Sequence, residues 1–398
     1  MQNQVKLTFL GDVLCQKQML DAYRQDNGFN FDSIFAPSTN LLKESDFVIA
    51  NLETPISENN TNLTSAPYSF NAPFEFAESL FSAGIKCVST ANNHCLDRGI
   101  EGISSTISSL NKIGLLHTGC FDNPEKNILI TNVNGIRLGI MSYTYGTNAF
   151  ANHTYLSKKD YWRVNLFQNQ ELSFPLDRYS TQRPNSMISK AYQKFLQLKN
   201  SPNINRPVYE RNEFSYSCRK KLLADIKKTK EQSPDFIIML MHAGGQYNSA
   251  ATEETKKLTS FLLENGVDIV CGNHEHLVHG GDFSKIDFNK IAAYSLGNFC
   301  SLYGSFEEPY NKMAEYSIAW HLYLEKTNGM AKISKSTYSI VQTIKEKDFD
   351  YKIKCIPLYD LYIHSTDQQK KDILRAANNV SQNFCQKNIY NMEPEFSL

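Results

Sequence analysis

Five short apolar runs in this 398-residue chain lead directly into side chains that bind metals or move protons. Asp12 follows Val5 to Leu10, Glu53 follows Phe47 to Ala50, and Asn93 with His94 follows Cys87 to Ser89. In the second half, His242 follows Ile237 to Met241, and His274 with His276 follows Ile269 to Cys271. Runs of this length and composition read as buried strands. If they are parallel neighbours, their carboxyl ends gather oxygen and imidazole donors at one edge of a sheet, where open α/β folds build their sites. A hydrolytic metal centre needs such donors at fixed positions, because the ion must both acidify water and polarise the electrophile. A metallohydrolase is the leading expectation.

The intervening chain supplies the helical layers. Glu75 to Ala83 and Gly99 to Ile113 read as helices, the second with Ile103, Ile107, Leu110 and Ile113 at helical spacing before Gly114. Asn134-Gly135, between Ile128 to Thr131 and Ile136 to Tyr143, predicts a hairpin and so a mixed sheet. After Phe236 to Met241 come a helix at Thr252 to Asn265 and strands at Asp268 to Cys271 and Lys290 to Ser295. The tail has alternating stretches near Met313 to Tyr323 and Thr337 to Thr343, then a polar helix near Gln368 to Asn383. Strand-helix alternation of this kind predicts an α/β layered fold.

From Thr144 to Pro234 the rhythm loosens into an aromatic-rich stretch with Tyr145, Tyr155, Tyr161 and Trp162, and a helical interlude at Met187 to Leu198. It reads as a cap or lid over the site, with a peripheral excursion as the alternative. The expected organisation is a main domain over 1–340 containing this insertion at about 144–234, and a C-terminal extension over 341–398 packed on it.

Lysine plus arginine and aspartate plus glutamate balance at 41 each, so no bulk positive field attracts nucleic acid, and none is expected as a partner. Nine cysteines, an odd number with no close pair, fit a reducing compartment better than a disulfide framework. No apolar run approaches the roughly 20 residues that span a bilayer. The amino terminus lacks the pattern of a secretion signal. A cytoplasmic protein without stable membrane insertion is expected, and the sequence leaves its oligomeric state open. Gly11-Asp12 lacks the glycine fingerprint of a dinucleotide site.

Six blocks taken together resemble the bacterial CapA family, linked to poly-γ-glutamate capsule synthesis and placed in the calcineurin-like metallophosphatase superfamily. They are Gly11-Asp12, Asn51-Leu52-Glu53-Thr54-Pro55, Ala91-Asn92-Asn93-His94 with Asp97 and Gly99, His242-Ala243-Gly244, Asn273-His274-Glu275-His276, and Tyr294-Ser295-Leu296-Gly297-Asn298-Phe299. The resemblance implies a sandwich of mixed sheets flanked by helices, holding one or two divalent ions. Manganese is the expected ion, with iron or zinc as alternatives. It further implies that Asp12 and His276 serve the first metal, that Glu53 bridges, and that Asn93, His242 and His274 serve the second. His94, oriented by Asp97, is similar to the histidine that contacts phosphate and protonates the leaving group. Asn92, Gln246, His279 and Asn298 are candidates for substrate contact or support of the ligands. The implied activity is phosphoesterase-like hydrolysis of a phosphorylated small molecule by a metal-activated water. The alternative is synthesis, binding or processing of poly-γ-glutamate or another anionic polymer.

The chain departs from the pattern at four positions. Leu14 stands where the superfamily commonly has a histidine, which leaves the first site one ligand short. Ala243 replaces a tryptophan, Glu275 a proline and Gln246 a glutamate; the glutamine keeps an acceptor but loses charge. Residue by residue, plainer readings stay open. Asp12 could cap a turn, Glu53 could lie in a surface turn, and His94 could close a loop through Asp97. His242, His274 and His276 could be structural, and Asn298 could end a strand. Cys95 beside His94 has no orienting partner in sequence and is a poor nucleophile candidate.

Overall fold

The computed structural model describes residues 3–65, 69–170, 216–302, 312–346 and 351–398. In chain order, β1 (Asn3–Val13), β2 (Phe47–Leu52), β3 (Cys87–Ser89) and β4 (Leu116–Thr118) come first. The Asn134-Gly135 turn joins β5 (Leu129–Val133) to β6 (Ile136–Thr144) as an antiparallel pair. Then follow β7 (Phe236–His242), β8 (Ile269–Asn273), β9 (Val278–Asp282) and β10 (Ile291–Leu296). The last are β11 (Asn298–Cys300), β12 (Tyr316–Thr327), β13 (Met330–Lys345) and β14 (Ile353–Pro357).

One sheet runs β14-β13-β12-β1-β2-β3-β4, with β11 also paired to β1, and the other runs β9-β10-β8-β7-β6-β5. Within the first, β1 to β4 are parallel, and within the second β6, β7, β8 and β10 are parallel. The ligand-bearing strands are thus parallel neighbours in two sets rather than one. Asp12, Glu53 and Asn93 leave one sheet while His242, His274 and His276 leave the other, so the candidate site lies between two sheets and not on a single edge.

Strand alternation explains the layering. Val5, Leu7 and Phe9 of β1 share a buried cluster with Leu138, Ile140, Ile238 and Leu240 of the opposite sheet. On the outer face of the first sheet, Leu10, Val48 and Val88 meet Phe31, Phe35, Phe76 and Leu80. Outside the second sheet, Met141, Met239 and Met241 pack against Leu222 and Ile226 of helix Tyr216–Glu231 and against Leu258 and Leu262 of helix Glu253–Glu264. The result is the expected α/β sandwich of mixed sheets flanked by helices. Truncating a central side chain such as Phe9 to alanine is expected to cost about 3–5 kcal/mol.

Helix Gly99–Ile113 has the bounds its periodicity predicts. Helix Tyr216–Glu231 does not, because its polar composition hides a narrow apolar stripe within the stretch expected to be insertion. The helical interlude expected at Met187 to Leu198 lies outside the described residues. β13 runs across position 340, and β14 pairs with it, so the first residues after 340 belong to the sheet. Helix Asp367–Cys385 begins with a capping box of Thr366 and Gln369 and buries Val380 and Phe384 in the inter-sheet core. All nine cysteines are unpaired, eight of them buried. Among the described residues no helix is long and apolar enough to cross a membrane.

Candidate metal centre

The irregular end of β1, where the register against β2 shifts between Phe9 and Asp12, positions the first candidate ligand. Gly11 lies so close to the crossing between β10 and β11 that a Cβ there would sit 1.9 Å from the Gly297 carbonyl oxygen. Glycine permits that approach, and the Asp12 N–H then donates to the same carbonyl at 2.9 Å. The crossing also brings Asn298 into register beside Asp12.

Asp12 and Glu53 are both completely buried. Donor atoms of Asp12, Glu53 and His276 lie within 4.8 Å of one another, and so do donor atoms of Glu53, His242 and His274. Glu53 belongs to both groups. Asn93 Oδ1 lies 2.9 Å from His242 Nε2, which is 3.6 Å from Glu53 Oε1. The structure therefore brings together all six residues singled out as metal ligands.

Their electrostatics follow from burial and from crowding of like groups. Burial, then the Asp12 carboxylate, raises the Glu53 pKa well above its ordinary value. Burial, then the neighbouring imidazoles, lowers His242 and His274 well below theirs, so both rings are neutral donors. Among the described residues, neither Glu53 oxygen finds a hydrogen-bond donor, and His274 Nδ1 finds no partner. Buried polar atoms without partners are rare. Clustered carboxylate and imidazole atoms in this state fit one or two divalent ions.

His94 stands beside this group. Its Nδ1 is 2.8 Å from Asp97 Oδ2, its N–H donates to Asn92 Oδ1 at 3.1 Å, and its ring lies 4.4 Å from that of Phe70. Asp97 also accepts the Phe70 N–H at 2.7 Å and Asn152 Nδ2 at 2.7 Å, so its carboxylate is held from three directions. Asn92 Nδ2 ties the loop to the Leu52 carbonyl at 2.7 Å, next to Glu53. His94 closes a loop through Asp97 and also borders the ligands, so the structural and functional readings coexist. Asn298 Oδ1 lies 2.9 Å from His276 Nδ1. Gln246 is half-buried on the loop after His242. His279 stays outside the two ligand groups, with Nε2 2.8 Å from the Asn248 carbonyl.

Two contributors, Asn51 and Tyr247, escaped the sequence reading, and a third, Tyr145, belongs to the aromatic-rich stretch read as a cap. Asn51 donates to Asp12 Oδ1 at 2.7 Å, lies 3.2 Å from His242 Nδ1, and accepts from Ser89 Oγ at 2.6 Å, linking the two sheets under the centre. Its position at a strand end, two residues before Glu53, was the available signal. Tyr145 lies 4.5 Å, ring to ring, from His274, and Tyr247 lies 5.2 Å from His276. Nothing in the local sequence of Tyr247 distinguishes it from an ordinary surface tyrosine.

Comparison with solved structures finds geometric likeness at low identity. A hypothetical protein from Thermus thermophilus shares 14% identity, with 89% of this chain and 98% of that one covered, at a TM-score of 0.39. The calcineurin-like phosphoesterase YfkN from Bacillus subtilis shares 10%, with 96% and 98% covered, at 0.41. Sequence comparison is more informative. The capsule biosynthesis protein CapA of Bacillus anthracis is 26% identical over 298 residues, 74% of this chain and 59% of that protein. The PGA biosynthesis protein CapA of Bacillus subtilis strain 168 is 21% identical over 296 residues, 73% and 62% respectively. The matched region thus spans about three-fifths of these relatives. Residues 6–303, which carry every ligand of the candidate centre, match the family described as bacterial capsule synthesis protein PGA_cap, and the chain belongs to that family.

Proposed function

We propose that the chain is a divalent-metal-dependent hydrolase of phosphoesters in which Glu53 is shared between two ions. The observation that carries this reading is Glu53 itself, a buried carboxylate common to both ligand groups with no donor at either oxygen among the described residues. Such a group beside a second carboxylate is stable as an anion only with positive charge within reach. Asp12 and His276 would hold one ion, and Asn93, His242 and His274 the other. The mixed oxygen and imidazole set suits manganese, with iron or zinc as alternatives. When bound, such ions supply Lewis acidity, lowering the pKa of water and offsetting negative charge on the phosphoryl oxygens.

The chain's own acid is His94. Asp97 accepts the Nδ1–H and would support the ring as an imidazolium, whose Nε2–H is the proton passed to the departing oxygen, leaving neutral His94. Asn152, near the start of the insertion, donates to the Asp97 carboxylate, which favours a cap role for the segment. Turnover of phosphomonoesters or diesters that disappears with chelator and returns with manganese is the expected result. A fully metal-loaded protein that cleaves no phosphoester contradicts the reading.

Family membership favours a second reading, because the relatives named above are capsule and PGA biosynthesis proteins. In that case the same centre binds or processes an anionic polymer such as poly-γ-glutamate. Saturable polymer binding without turnover distinguishes it from the esterase.

A further inference from the structure

We propose that Glu275 is a positioning residue for the metal centre, clasping the loop from Ala243 to Asn248 against the His274-Glu275-His276 turn. The effect on metal binding rests on the reading above, whereas the clasp does not.

The turn itself is unusual. His274 and His276 have φ of 99° and 59°, in the left-handed region that side chains with a Cβ rarely occupy. Such a backbone persists where surrounding contacts over-determine it. The two imidazoles approach Glu53 and Asp12, but the Glu275 carboxylate between them, completely buried, meets the loop instead.

Glu275 Oε2 accepts the Gly245 N–H at 3.1 Å, and the Glu275 backbone carbonyl accepts the Tyr247 N–H at 2.8 Å. Thr255 Oγ1, in the first turn of helix Glu253–Glu264, lies 3.5 Å from Oε1. His279 Nδ1 is 3.6 Å from the same oxygen, while its Nε2 reaches the Asn248 carbonyl at 2.8 Å. One short piece of chain thereby holds the loop at residues 245, 247 and 248.

Gly244 matches this arrangement. Its φ is 125°, and a Cβ there would lie 2.1 Å from Glu275 Oε1. The loop also follows His242 directly and carries Tyr247, whose ring faces His276. Releasing Glu275 therefore loosens the backbone beside His242 and around His274 and His276 together. A buried acid with no place in either ligand group is explained by what it ties down.

The test compares Glu275→Met, which keeps volume without an acceptor, and Glu275→Gln, which keeps an acceptor oxygen. Amide exchange is followed in metal-free protein, and manganese affinity by titration calorimetry. In the wild type the Gly245 and Tyr247 amides are expected to be protected. Glu275→Met should exchange about tenfold faster over 243–248, the size expected for one lost hydrogen bond. Its manganese affinity should fall about 10- to 100-fold, as for other residues that orient ligands, with Glu275→Gln near wild type on both measures. An unprotected Gly245 amide in the wild type overturns the clasp, and that measurement decides even if Glu275→Met does not fold. Wild-type exchange and affinity in Glu275→Met, or equal loss in Glu275→Gln, also overturn the proposal. A wild-type protein that takes up no manganese overturns the metal reading and with it the positioning role, while exchange still decides the clasp.

Discussion

Strand β1 contributes to two buried polar clusters that are built in opposite ways. At its carboxyl end, Asp12 lies beside Glu53, whose oxygens find no donor among the described residues. A few residues earlier, Thr8 Oγ1 lies 2.7 Å from His321 Nδ1, and His321 Nε2 lies 3.1 Å from Ser339 Oγ, which donates to the Pro394 carbonyl at 2.6 Å. Next to that chain, Glu395 accepts from Lys6 at 2.8 Å, Tyr323 at 2.7 Å and Thr337 at 2.6 Å. Both clusters bury ionisable groups, but among the described residues the first leaves a carboxylate without a donor while the second does not. Burial alone is therefore a poor marker of function, and the missing partner is the better one.

The largest effect expected to sharpen this contrast is at Glu53. Glu53→Gln should reduce metal-dependent turnover to background while leaving chelated protein at least as heat-stable as wild type, since it removes an uncompensated buried acid. A lower melting temperature in chelated Glu53→Gln would mean that the carboxylate already has a stabilising partner. Next comes the acid pair. His94→Ala and Asp97→Asn should each lower turnover about 10²- to 10⁴-fold on esters with poor leaving groups, and much less on nitrophenyl esters that need no proton. Equal losses on both substrates would remove the acid role.

Asn51→Ala should weaken metal affinity about 10- to 100-fold by freeing Asp12 and His242, a loss that calorimetry reads directly. The smallest effect on activity is predicted for the satisfied cluster. Partial burial pushes the Glu395 carboxyl up, but hydrogen bonds from Lys6, Thr337 and Tyr323 prevail and bring it down to about 2 from 4.5. Its stabilising contribution is complete above pH 4.5 and is lost as pH falls toward 2. Burial also lowers His321 from 6.5 to about 3, so the unfolded chain takes up that proton first and stability falls as pH drops through this window. Glu395→Gln should leave turnover unchanged and flatten the melting profile below pH 4.5, modestly, because the side chain keeps some contact with solvent. A loss of turnover in this variant would break the comparison.

What could be read from sequence was local. Apolar runs followed by Asp12, Glu53, His242 and His274 announced strands with ligands at their ends, and the Gly99–Ile113 helix and Asn134-Gly135 hairpin followed from period and turn chemistry. Which strands pair is decided by contacts far apart in sequence, so the division of the ligands between two sheets was not legible. The short strand Leu116–Thr118, with a histidine at its centre, and the antiparallel strand Val278–Asp282 carry too little pattern to announce themselves. Asn51 and Glu275 stood in the quoted motifs, but their partners are hydrogen-bonding atoms on other segments that no periodicity reveals. The resemblance supplied the expected ligand roles, and the geometry added a buried carboxylate that finds no donor among the described residues.

The most direct test of the shared-carboxylate account is an anomalous-scattering map of manganese-loaded crystals. Two peaks are predicted on either side of the Glu53 carboxylate, one reached by Asp12 and His276 and the other by Asn93, His242 and His274. Manganese bound away from these residues, or a loaded centre in which Glu53 touches no ion, would contradict it.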